Sequence, residues 1–203
     1  MNDMGVIVLL LRLLSAIRKH ATLKPIQLPS LELSSALQDG AVDLAIGYLD
    51  KLGESLHQQR LFRRSLVGII RGGTTRRKVR MTLDEFIERK HVVADTLAIT
   101  NQLLKKELRH HGARLRIGIG LPYPLAVPWL VASSDYIAAV PDELAELFSR
   151  LADVDVFPLP IRLPDLTVQQ FWHARHHTDS GHRWFRSLVN ETLRQEYSGP
   201  TRN

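Results

Sequence analysis

The apolar positions fall into short runs whose period changes along the chain. Ile7, Leu10, Leu11, Leu14 and Ile17 recur at helical spacing with Arg12, Ser15, Arg18 and Lys19 opposite, which predicts a first helix over Gly5 to His20. Val8, Leu9 and Leu13 add more apolar surface than one core uses, so this helix is either deeply buried or also faces a partner subunit. Leu23 to Leu28 predicts a short strand. Ser30 can cap a helix over Leu31 to Asp39, and Gly40 can end it in a left-handed conformation. Val42, Leu44, Ala45 and Ile46, held between Gly40 and Gly47, predict a buried strand. The segment His57 to Arg71 is polar at its start and apolar from Leu66 to Ile70. It is too long for an ordinary strand of about five or six residues, which predicts that it crosses between two sheets.

Beyond Gly72-Gly73 the run Thr74 to Arg80 is polar and basic, with Arg76, Arg77, Lys78 and Arg80. No aromatic residues interleave for base stacking, so an exposed connector explains it better than a nucleic-acid patch. Thr82-Leu-Asp-Glu85 is a capping box opening a short helix. Strand and helix then alternate: His91 to Ala94, a helix over Thr100 to His111 closed by Gly112, a strand at Leu115 to Ile119, and a helix over Pro122 to Ala132. A strand at Tyr136 to Val140, a helix over Asp142 to Leu151 and a strand at Asp153 to Phe157 end the series. Three prolines make Phe157 to Asp165 an extended connector, Leu166 to His173 a returning strand, and Trp184, Phe185, Leu188, Val189 and Leu193 the stripe of a last helix. The pattern predicts an α/β protein of two Rossmann-like subdomains joined by two crossover strands. Residues 1–72 plus 159–197 form one discontinuous subdomain, 73–158 form the other, and 198–203 are a polar tail. Ligands of doubly wound sheets bind beyond the carboxyl ends of strands, so two such subdomains are expected to face a cleft and to move by hinge closure.

Composition changes this picture little. Apolar residues make up 44% and charged residues 24%, as in ordinary globular proteins. The absence of cysteine excludes disulfides and thiol chemistry. Net charge is +6, but no helix-turn-helix pattern, zinc-finger spacing or basic helix with heptads turns that charge into DNA reading. Val6 to Leu11 is far shorter than the roughly 20 apolar residues of a membrane span, and Asp3 stands where a signal peptide is positive. A cytoplasmic protein that does not enter the membrane is expected.

Ala41-Val-Asp-Leu-Ala-Ile-Gly-Tyr48, Gln58-Gln-Arg-Leu-Phe-Arg63 and the strand to Arg71 resemble the effector-binding domain of LysR-type transcriptional regulators. So do Met81-Thr-Leu-Asp-Glu-Phe86 with His91-Val92, Ser134-Asp-Tyr-Ile-Ala-Ala-Val-Pro141, and Phe171-Trp-His-Ala-Arg175 followed by His182-Arg-Trp184. The motifs occur in the family's order, and the subgroup they are most similar to senses aromatic acids and related breakdown products. The resemblance implies a type 2 periplasmic-binding-protein-like fold, a small aromatic or carboxylate effector, a homodimer or tetramer, and no cofactor. It also implies DNA contact only through an N-terminal winged helix-turn-helix, which is expected to be absent from this chain along with the family's first strand. Thr74-Thr75 replaces a common His-Pro.

The resemblance places the effector between the subdomains. Asn2 and Asp3 precede the first helix, where free amides can meet an anion or where a plain N-cap suffices. Thr100 and Asn101 open a second helix with the same two readings. Tyr123 follows a strand end and matches a position lining the family's cleft, or is an ordinary aromatic at a helix start. Phe171 and His173 share a strand face because side chains alternate; the resemblance implies that Phe171 stacks on a ring and His173 offers a hydrogen bond, with Trp172 turned to the core. A core or interface role for His173 stays open. His173, His176, His177 and His182 suggest a metal, but strand parity sets His173 and His176 on opposite faces, and a metal needs convergent ligands. No metal site is expected. No serine elbow, phosphate loop or thiol nucleophile supports an enzyme. A free-standing solute-binding protein and a truncated remnant without DNA binding are the rival readings.

Overall fold

The computed structural model describes residues 22–26, 28, 30–47, 53–73 and 80–197. The expected first helix, the basic run at 74–79 and the tail after Tyr197 lie outside the described residues. Two compact units emerge. One is built from the described residues before Arg64 together with those after Leu166, and the other from Arg64–Leu166. The junctions therefore fall at Arg63/Arg64 and Leu166/Thr167, whereas the sequence pattern drew them near residues 72 and 158. The shift has a hydrogen-bonding cause: the segment Leu66–Arg71 is paired on both sides within the second unit, and Ile161 beyond residue 158 is buried in that unit's core.

In the first unit, α1 (Ser30–Asp39) is followed by β1 (Ala45–Gly47), β2 (Leu56–Arg64), β8 (Leu166–His173) and α6 (Ser180–Tyr197). The strands run in the order β1-β8-β2, with Ala45 opposite Phe171 and Gly47 opposite Gln169. One sheet face carries Phe171 and Ala45 against Leu37 of α1; the other sets Leu61 and Val168 against Val189 and Leu193 of α6. Gly40 closes α1 at φ +79°, and the Arg175 guanidinium donates to the helix-end carbonyl of Leu37 at 3.1 Å. The expected strand at 23–28 is not formed by its described residues. Pro25 lacks an amide donor, which weakens a ladder there.

The second unit contains β3 (Leu66–Arg71), α2 (Leu83–Glu88), β4 (His91–Ala94), α3 (Ala98–His110), β5 (Ile117–Leu121), α4 (Val127–Ala132), β6 (Ala138–Pro141), α5 (Asp142–Leu151) and β7 (Val154–Pro158). β3 is the middle strand, antiparallel to both β6 and β7, while β4 and β5 are parallel and His91 bridges to Ile137 beside β6. The second unit therefore holds an antiparallel sheet in the order β6-β3-β7 and a parallel pair, β4-β5. Helices cover both faces: Leu144, Ala145 and Phe148 of α5 pack with Ile69 and Val140, and Phe86, Leu104 and Leu108 pack with Ile70, Ile137 and Phe157. The expected capping box forms, with the Glu85 amide donating to Thr82 Oγ1 and the Thr82 amide to Glu85 Oε2 at 2.8 Å.

Candidate effector site

Parallel pairing of β4 with β5 brings two strand carboxyl ends side by side at one edge of the second unit. The chain leaves β4 through a 3₁₀ turn, Asp95–Leu97, into α3, and leaves β5 through Tyr123 into a second 3₁₀ turn, Pro124–Ala126. The two turns touch. Thr100 lies in the first turn of α3 and is buried, and Asn101 follows it. The Asn101 side-chain amide donates to the carbonyl of Ala94 at 2.9 Å, tying α3 back onto the end of β4. Tyr123 is 57% exposed on extended backbone. Three of the residues singled out from sequence thus share one edge.

A fourth polar group belongs with them. Thr96 Oγ1, in the turn after β4, is buried without a hydrogen-bond partner. A buried hydroxyl left unpaired is costly unless a ligand or water completes it. Sequence reading passed over Thr96 because it sits inside a strand-to-helix connection with no cap signature. Its position two residues past a strand end was the available clue. Hydroxyl, carboxamide and phenol beside the first turn of a helix make an edge suited to polar groups on a small ligand.

Phe171 and His173 belong to the first unit. Phe171 has no exposed surface and is packed against Leu37 and Ala45, so in this arrangement it presents no face on which a ring can stack. Its burial follows from α1 covering that side of the sheet. Trp172 does point the other way, but toward His57, His177 and Arg186 rather than into an apolar core. His173 is half-buried, and its Nδ1 accepts from the Arg175 amide at 3.2 Å, capping the turn Ala174–His176. Asn2 and Asp3 lie outside the described residues. Among the described residues no three histidine or acidic side chains converge as a metal would require.

The fold is α/β and type 2 periplasmic-binding-protein-like. It superimposes on the regulatory domain of MexT, a transcriptional activator in Pseudomonas aeruginosa, with a TM-score of 0.79 over 94% of this chain and 96% of that one, at 21% identity. The effector binding domain of QuiR in complex with shikimate matches with a TM-score of 0.68 over 97% and 94% of the two chains, at 16% identity. The chain belongs to the LysR substrate binding domain family, whose model matches residues 5–194. It is 31% identical over 196 residues to the HTH-type transcriptional activator NagR of Ralstonia sp, covering 94% of this chain and 64% of NagR. The chain therefore spans less than two thirds of the length of that relative. Among the described residues no helix is long and apolar enough to cross a membrane.

Proposed function

We propose that this chain is the ligand-sensing part of a LysR-type transcriptional regulator, and that its effector is a small aromatic or carboxylate molecule. The observation that carries the reading is the unpartnered Thr96 hydroxyl at the edge where Asn101 and Tyr123 also lie, within a chain that belongs to the LysR substrate binding domain family. Binding of the carboxylate shikimate by QuiR, a protein of the same fold, supports the ligand class. Thr96 and Asn101 hydrogen-bond the effector, Tyr123 packs on it, and Thr100 supports the helix turn beneath. Asn2 and Asp3 are further contacts in this reading, and Phe171 is a core support for the strand that carries His173. DNA contact is made by residues outside the matched region, in the cytoplasm, by a dimer or tetramer. The effector acts by binding one arrangement of the protein more tightly than another.

Calorimetric titration of the 203-residue chain with a panel of aromatic and alicyclic carboxylates, shikimate and salicylate among them, tests this. At least one is expected to bind saturably and to raise the melting temperature; ligand at about 100 times its Kd adds roughly 2.7 kcal/mol of stability. Thr96→Val is expected to weaken that ligand by about tenfold, the loss of one buried hydrogen bond of about 1–1.5 kcal/mol. Unchanged affinity in Thr96→Val rejects this edge as the site.

A further inference from the structure

The first unit holds a cavity of about 350 Å³ lined by His57, Gln58 and Gln59 of β2, Trp172 of β8, His177, and Arg183, Arg186 and Ser187 of α6. Among the described residues no acidic side chain lines it. Two arginines and two histidines do, and the arginines make the cavity electropositive. Its walls are flat rings. His57 and His177 lie 4.1 Å apart between centroids, and His177 is nearly parallel to Trp172 at 6.1 Å.

The arginine is held firmly. Arg186 lies 4.3 Å above the Trp172 ring, donates from Nη1 to the carbonyl of His176 and from Nη2 to that of His177, both at 3.0 Å, and meets His182 Nδ1 at 2.7 Å. Because a guanidinium only donates, His182 Nδ1 accepts, and its Nε2–H donates to the Asp43 carbonyl at 2.8 Å. The cation's hydrogen bonds thus go to two carbonyls and a histidine, while the Asp179 carboxylate is near enough to favour its charge. Trp172 is 6% exposed, and its indole Nε1 is buried with no hydrogen-bond partner. Such an unpaired donor in a positively charged cavity lacks an acceptor. The pKa of His177 is depressed, first by loss of solvation and then by His57, Arg186 and Arg183, so its imidazole is held neutral beside the two arginines.

We propose that this cavity is a second binding site, for a small planar carboxylate. The ring lies against the wall of Trp172, His57 and His177, and the carboxylate faces Arg183 and His177, with Arg186 supplying fixed charge and the Trp172 indole a donor. Its lining residues are separate from Thr96, Asn101 and Tyr123, so it stands whether or not those bind an effector.

Trp129 and Trp184, both about half exposed, are replaced by phenylalanine so that Trp172 is the sole indole reporter. Sodium benzoate is then titrated into the whole chain and Trp172 fluorescence is followed. Saturable quenching is expected, weakened at least tenfold by Arg183→Ala or His177→Ala, partly rescued by Arg183→Lys, and unaffected by Thr96→Val. Both alanine variants are at exposed positions, and unchanged circular dichroism confirms their fold. Inorganic phosphate is expected to bind at least tenfold more weakly than benzoate; equal affinity overturns the assignment to a planar carboxylate. No saturable change, or one that Thr96→Val weakens and the two alanine variants leave intact, overturns the site.

Discussion

At Gly68 the chain uses a missing side chain as a packing device. A Cβ there would come within 2.2 Å of the Phe157 ring, which lies across the middle strand and is itself buried. Because β6 and β7 hold Gly68 from both sides, the backbone cannot move aside. Gly68→Ala is expected to cost about 1–3 kcal/mol through overpacking, measured as a lowered urea midpoint with unchanged slope. Gly40 is constrained differently, by its left-handed backbone and by the Arg175 guanidinium beside it. Gly40 was legible from sequence as a helix terminator. Gly68 was not, since a glycine within an apolar run does not reveal which ring crosses it. The same limit applies to Thr96 and Trp172, whose unpaired polar atoms exist only once neighbouring elements have closed over them.

Elements of the second unit bury two titratable groups with opposite consequences. Glu143, in the first turn of α5, is pushed up to about 7 by burial, even with Arg64 Nε 3.0 Å away. His91, opening β4, is pushed down to about 4 by burial, although its Nε2 donates to the Phe86 carbonyl at 3.1 Å. A carboxyl raised in the folded state contributes stability present in full below about pH 4.5 and lost as pH rises to about 7. A histidine lowered in the folded state contributes stability present in full above about pH 6.5 and lost as pH falls to about 4. Between roughly pH 4.5 and 6.5 the two slopes oppose each other, so their joint contribution is nearly flat. Glu143→Gln is expected to expose a rise in stability with pH across that window, read from urea unfolding at half-unit steps. A variant that keeps the parent's pH profile would show that Glu143 ionises normally. At the same scale Thr82→Ala removes one side of a capping box and is expected to cost about 1 kcal/mol in the same assay. The capping box was readable because its partners lie three residues apart; the Arg64–Glu143 pair was not, because 79 residues separate them.

For the whole molecule, the relevant expectation is association. The apolar excess on Val8, Leu9 and Leu13 exceeds what one core uses, and these residues are proposed to face a second copy. Sedimentation at high micromolar concentration is expected to give a dimer that Leu9→Glu dissociates; a monomer in the parent chain removes the proposal. The order of elements from α1 onward, the capping box, the returning strand Leu166–His173 and the family likeness were all determined by the sequence, because each rests on neighbours close in the chain or on motifs in fixed order. Only the tertiary structure decided that β3 belongs to the second unit as its central antiparallel strand, that Phe171 is enclosed beneath α1, and that Trp172 turns toward Arg186 and two histidine rings. The physical reason is common to all three. Periodicity says which side chains share a face, while the helix that packs on that face is chosen by contacts between residues far apart in the chain.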